Sequence, residues 1–182
     1  AADQEALWEG LADGTLSLVS SDHAPYRYDE SGKLSAGPDA TFAQMANGLP
    51  GLEVRMPLMF DAMVSGGRIG ARDFVRLCCS EPARVHGLAG KGDIAPGFDA
   101  DLVVWDPERR VTFGADDLHD NVGYNPWQGR TVTGWPETVF LRGDAVVERG
   151  AFIGGRGRWL KRDAPGVSTR ADPAREYREA VT

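Results

Sequence analysis

Apolar residues recur along the chain with two different periods, and the change from one to the other divides it. In the N-terminal half the spacing is helical. Leu7, Trp8 and Leu11 share one face and predict a helix over residues 4–13, with Asp3 as N-cap and Gly14 as its stop. Val54, Leu58 and Met59 form a second stripe over Glu53–Ser65, ended by Gly66-Gly67 and carrying Pro57 in the first turn. Phe74, Leu77 and Cys78 predict a third helix from Ala71, and a short fourth follows Ser80 and closes at Gly87. Between the first two, Thr15–Ser21 alternates as a strand does, and the proline of Asp22-His23-Ala24-Pro25 ends it. Tyr26–Pro50 has no period and reads as a long loop, which at that length is functional or disordered. Beyond Lys91 the period becomes two. Residues 101–105 and 110–113 read as strands, and 138–142 with 145–148 as a hairpin turning at Gly143-Asp144.

Asp22 is the first candidate for chemistry, because parallel sheets and barrels set their catalytic groups at the carboxyl ends of strands. The competing role is capping the following turn, which Asp does through its side-chain oxygen. Neighbours on a strand face opposite ways, so His23 fits a supporting or packing role better than sharing an ion with Asp22. A self-contained zinc site is disfavoured: the three histidines, His23, His86 and His119, include no i,i+2 or i,i+4 pair. His86 reads as a surface or capping residue, His119 as solvated beside its acids, and Cys78 as core, while Cys79 lacks an activating base. No GxGxxG follows a strand. Asn47-Gly48-Leu49-Pro50-Gly51 is a dense turn whose glycines let main chain approach a ligand.

Charge and composition narrow the partners. With 27 acidic against 20 basic residues the net charge is −7, which disfavours nucleic acid and anionic membranes. No apolar run approaches the ~20 residues of a bilayer span, and no secretory leader is visible. The two cysteines are adjacent and poorly placed to bridge each other, so the chain reads as reduced and cytoplasmic. The basic cluster Arg156, Arg158, Lys161 and Arg162 reads as a solvated tail or subunit contact before a nucleic-acid patch. A length of 182 residues beginning at Ala1 suggests one ordinary domain or a piece of something larger, a fragment or a processed chain.

Three motifs then line up: Ser21-Asp22-His23-Ala24-Pro25, the run Asn47–Arg55 (NGLPGLEVR), and Lys91–Pro107 (KGDIAPGFDADLVVWDP). Together they resemble the hydantoinase and dihydropyrimidinase family of the amidohydrolase superfamily, and Gly157–Arg162 resembles that family's terminal motif. The likeness runs over residues 3–162 and matches only the C-terminal part of a family member. It implies an α/β fold, with residues 1–90 as the C-terminal part of a (β/α)8 TIM barrel, 91–155 as strands of a small β-sandwich, and 156–182 as a tail at a subunit contact. The layer over 91–153 is expected to be incomplete without N-terminal strands, and the strand ending at Asp22 to be of parallel-barrel character.

The resemblance also implies hydrolysis of the ring amide of hydantoins or dihydropyrimidines at a centre of two divalent metal ions, zinc foremost. Asp22 matches the metal-ligating aspartate that also serves as general base and proton shuttle, and Asn47 the residue whose main chain holds the cyclic amide. His23 takes a supporting place beside the metal ligand. A His-x-His pair, a carboxylated lysine and two further histidines have no match here, so the chain alone is expected to be inactive. Its implied partners are a small cyclic amide and other copies of itself, as a tetramer or dimer, with no nucleic acid and no membrane. Glu81 stands where relatives often carry Asn or another neutral residue, and Trp127-Gln128-Gly129 replaces aromatic-Glu-Gly; both bear on subfamily more than on reaction type. Residues 163–182 match nothing clearly. The alternatives are a non-catalytic tetrameric scaffold resembling the collapsin response mediator proteins, which has no need of Asp22, and a dihydroorotase- or allantoinase-like hydrolase, from which the Asn-Gly-Leu-Pro-Gly run departs.

Overall fold

The computed structural model describes residues 2–164 and 166. The tail expected over 156–182 lies outside the described residues at 165 and from 167 onward. Helices and a sheet divide the chain as the two periods indicate. Helix α1 spans Ala2–Asp13, so Asp3 lies in its first turn rather than capping it, where a carboxylate still meets the positive end of the helix dipole. Leu11 is buried, Trp8 is half-buried under the Arg68 guanidinium, and Leu7 remains exposed.

Thr15–Ser21 departs from expectation. It bends at Thr15-Leu16 and belongs to no strand ladder, because a strand needs a neighbour to bond and this one has few. Val19 N–H donates to the Leu77 carbonyl, and one isolated parallel bridge joins His23 to Leu49.

Helix α2 spans Leu52–Phe60 and continues as a π-turn over Asp61–Ser65. Because α2 starts at Leu52, Pro57 lies inside the helix and not in its first turn, and it removes one ladder bond there. Helices α3 (Ala71–Val75) and α4 (Glu81–Val85) are likewise joined through a π-turn at Arg76–Ser80 and form one helical run. The wide turns let Met63 and Leu77, both 0% exposed, reach the core, each worth about 1.5–3 kcal/mol on burial.

The sheet is an antiparallel meander in the order β1-β2-β3-β4: β1 Leu102–Thr112, β2 Thr131–Leu141, β3 Asp144–Glu148 and β4 Ala151–Phe152. The two strands expected at 101–105 and 110–113 are one. Asp106 Oδ1 accepts from the N–H of Glu108 and of Arg109, and the register slips there without ending the strand. The hairpin between β2 and β3 turns at Arg142-Gly143, one residue earlier than expected, since Asp144 already pairs with Leu141. Both turn residues have positive φ, as a two-residue turn of this hand needs, and Asp101 Oδ1 accepts the Arg142 N–H at 2.8 Å.

Residues 131–137 are strand where Gly134 and Pro136 argue for a break. A Cβ on Gly134 would come within 2.2 Å of the Phe60 ring, so the glycine makes room for that ring. Phe60 stacks on Trp105 at 4.2 Å and meets Phe74 edge-on, which locks the helices onto the sheet. Polar contacts repeat the junction: Thr133 N–H donates to Asp61 Oδ1, and Ser65 Oγ donates to the Thr133 carbonyl. A second apolar cluster, Val54, Phe113 and Val132, seats the other end of α2. Among the described residues, no helix is long and apolar enough to cross a membrane.

Candidate active site

The extended segment breaks at Asp22, whose φ of 45° lies in the left-handed region. For an L-residue other than glycine that conformation costs about 1–2 kcal/mol, less for Asp, and such strain gathers at functional sites. The Asp22 side chain is exposed, and no described residue pairs with it.

His23 turns to the start of α2. Its Nδ1 accepts the N–H of Gly51 at 3.0 Å and of Leu52 at 3.2 Å, two of the donors a helix leaves unsatisfied. An accepting Nδ1 puts the neutral ring's hydrogen on Nε2. His23 thereby ties the Asp22 motif to the Asn47–Gly51 turn. Ala24 N–H donates to the Leu49 carbonyl, and a Cβ on Gly48, at φ 108°, would stand 2.3 Å from Ala24 Cβ. Only glycine fits so close an approach. The structure thus brings Asp22, His23 and the Asn47 turn side by side. Asn47 is exposed, and no described residue takes its N–H or its carbonyl.

Two parts of this surround are silent in the periodicity. The first is Lys33, only 8% exposed in the middle of the Tyr26–Pro50 loop, whose Nζ donates to the carbonyls of Ala46 and Gly48. The second is the β1–β2 connection, residues 113–130, which closes over the loop. Tyr28 packs on Tyr124 with centroids 5.7 Å apart, Arg27 donates to the Asn121 carbonyl, and the Trp127 ring lies 3.3 Å from where a Gly51 Cβ would be. His119 is exposed but not merely solvated beside its acids. Its N–H and Nδ1 both meet the Glu53 carboxylate, which holds its pKa above the ordinary value through that hydrogen bond and the charge. The pairing of Lys33 and of His119 could have been sought from their position beside motif-bearing segments, but no spacing rule finds it.

The remaining candidates are structural. Burial, with a smaller contribution from Cys79, pushes the Cys78 thiol up to about 12, and burial also raises Cys79 against the opposing charge of Arg55. Neither is an activated nucleophile. His86 is exposed at the end of α4, and Glu81 is buried with its carboxylate on Arg84 at 2.7 Å. The Lys91–Pro107 motif forms an ion knot. Lys91 binds Asp99 at 2.8 Å and also Asp101, while Arg158 reaches Asp99. Burial opposes the Lys91 charge, but the hydrogen bonds it donates to both carboxylates, with their charges, outweigh it and raise its pKa. Among the described residues, no three His, Cys, Asp or Glu side chains converge where a metal ion could sit.

The model of the amidohydrolase family matches residues 1–146. The chain is 43% identical over 155 residues to a D-hydantoinase of Streptomyces coelicolor, covering 85% of this chain and 32% of that protein. To a D-phenylhydantoinase of Escherichia coli it is 40% identical over 163 residues, covering 88% and 35%. The crystal structure of dihydropyrimidinase from Brevibacillus agri superposes with a TM-score of 0.83 at 37% identity, over 91% of this chain and 36% of that one. The chain spans about a third of the length of the relatives it matches.

Proposed function

The chain belongs to the amidohydrolase family, and from that premise we propose that it serves a hydrolase that opens the ring amide of hydantoins or dihydropyrimidines. One observation carries this furthest: an exposed Asp22, unpaired among the described residues, is bridged through His23 and Leu49 to a turn whose Asn47 gives neither main-chain group to a described residue. That is a base beside an amide-shaped docking edge. A ring amide presents a carbonyl and an N–H together, complementary to the N–H and carbonyl of Asn47. Asp22 takes the proton from the attacking water as its oxygen bonds the ring carbonyl carbon, and delivers it to the ring nitrogen as the C–N bond breaks. General base and acid work of this kind contributes about 10²–10⁴-fold.

A two-ion centre does not fit the described residues alone, for no three His, Cys, Asp or Glu side chains converge among them and Asp22 supplies a single carboxylate. We therefore assign the two divalent ions, zinc foremost, and the carboxylated lysine to ligands outside these 182 residues, with Asp22 as this chain's own ligand. In the same proposal residues 1–90 complete a (β/α)8 barrel and 91–155 supply strands of a sandwich, in keeping with the half-exposed Val103 and Val104 on the outer strand β1. Phe152 and Trp159, 74% and 83% exposed, suit a subunit contact of a dimer or tetramer near the tail. The free thiols of Cys78 and Cys79 suit a reducing cytoplasm.

The test is Asp22→Asn in the complete protein, assayed for opening of hydantoin and dihydrouracil, with metal content and thermal melting in parallel. Asn keeps size and one oxygen but loses charge and basicity, so kcat should fall at least ~10³-fold with folding intact. A variant retaining half its kcat at full metal occupancy would overturn the assignment and favour the scaffold.

A further inference from the structure

Burying an ammonium costs several kcal/mol unless its hydrogens find acceptors, and among the described residues no carboxylate pairs with Lys33. Its Nζ instead donates to the carbonyl of Ala46 at 2.8 Å and of Gly48 at 2.6 Å, the residues on either side of Asn47. The lysine's own main chain is placed by a tight turn: Lys33 N–H donates to the Arg27 carbonyl, and Asp29 holds Arg27 and Ser31. From the other side, Gly48 lies against Ala24 of the Asp22 motif. Asn47 is therefore gripped at both neighbours while no described residue takes its own N–H or carbonyl.

The chemistry of the grip goes further than geometry. The Ala46 carbonyl and the Asn47 N–H are two ends of one resonant amide. A cation on the oxygen draws density from the nitrogen and makes the N–H a stronger donor, as bonds in a chain polarise one another. We propose that Lys33 is the positioning residue of the amide-holding turn: it clamps Ala46 and Gly48 and polarises the Asn47 N–H toward the substrate's ring carbonyl. This rests on the role given to Asn47 above. Because the carbonyl oxygen gains charge on the way to the tetrahedral intermediate, the polarised donor counts for more there than in the bound ground state. Loss should therefore appear in kcat beyond any rise in KM.

The experiment compares wild type with Lys33→Met and Lys33→Arg in the complete metal-loaded protein. It measures kcat and KM for dihydrouracil, thermal melting, and hydrogen–deuterium exchange of the peptide spanning 45–52. We expect Lys33→Met to lose ~10–100-fold in kcat/KM, chiefly in kcat, and to exchange faster at 45–52 with the sheet unchanged. Lys33→Arg, which keeps charge and donors, should recover part of both. Should Lys33→Met fail to fold, Lys33→Gln, a neutral donor, is read by the same measurements. Faster exchange with unchanged kcat/KM would overturn the catalytic part, and unchanged exchange would overturn the clamp. A wild type that opens no cyclic amide would overturn the reading of Asn47 and the polarising role with it, while the exchange arm still decides the clamp.

Discussion

The surroundings of Phe60 and of Lys33 are both buried, for opposite physical reasons. Phe60 is enclosed by Phe74, Trp105, Met63 and Leu77, where many weak apolar contacts sum and no single atom decides the geometry. Lys33 is buried with its ammonium on main chain, and two named carbonyl oxygens accept its hydrogens. The first environment sets how firmly the helices hold the sheet. The second sets where the Asn47 peptide stands, and tolerates far less change of atom type. Stability and chemistry are thus separable in this chain, and substitutions should sort them.

The largest effects come from crossing the two. Asp22→Asn should lower kcat at least ~10³-fold and leave the denaturation midpoint of the metal-free protein near wild type, because no described residue pairs with its carboxylate. Phe60→Ala should do the reverse. It removes a stacked ring and leaves a cavity, costing about 3–5 kcal/mol in denaturant unfolding of the complete protein, with kcat per folded molecule unchanged. If Phe60→Ala lowered kcat per folded molecule as much as Asp22→Asn, the two regions would not be separable.

The same division explains what the sequence makes readable. Among the described residues apolar period located the four α-helices and the hairpin, since burial of one face is what a period records, but not the 3₁₀ turn Phe42–Gln44 in the long loop, which buries no side chain. It erred where a polar atom or a neighbour overrode it. Asp106 joined two expected strands by folding its oxygen onto the main chain, and Asp101 moved a turn by holding Arg142 left-handed. Residues 131–137, which the period left unassigned, continue β2, and Gly134 there makes room for the Phe60 ring. Thr15–Ser21 has the alternation of a strand without the partners that make one. At the candidate site, motif likeness singled out Asp22, His23 and Asn47, but Lys33 was not readable, because a lysine in a polar loop looks the same whether it is solvated or buried on carbonyls.

Gly48→Ala should give an intermediate effect that touches both regions. Its Cβ would meet Ala24 Cβ at 2.3 Å, and φ of 108° is strained for any side chain. A cost of about 1–3 kcal/mol is expected, together with a fall in kcat/KM of ~10-fold or more as the turn shifts from the Asp22 motif. Adding Ala24→Gly relieves the clash but not the φ strain, so the pair should recover only part of the loss. Full recovery would show that contact alone, and not backbone conformation, keeps Gly48 a glycine.

The smallest effect should come from the clamp between the β1–β2 connection and α2. Glu53 raises the pKa of His119 by hydrogen bond and charge, so the folded state binds that proton more tightly than the unfolded chain does. The contribution is then fully present below the unfolded value of about 6.5 and is lost as pH rises through the higher folded value. The side chains are 89% and 46% exposed, so solvent screens the pair and little global stability rides on it. Going from about pH 6 to about pH 8 should lower the protection factors of residues 113–130 slightly, once the base-catalysed intrinsic exchange rate at each pH is divided out, without moving the melting curve appreciably. The His119 N–H keeps its bond to the Glu53 carboxylate at either pH, so the connection loosens and does not detach. Glu53→Gln should flatten the slope, and high salt should shrink it in the wild type. A slope that persists in Glu53→Gln would mean that another titrating group governs the connection, beside the contacts of Tyr28, Tyr124, Trp127 and Arg27 that hold the wall over the Asn47 turn.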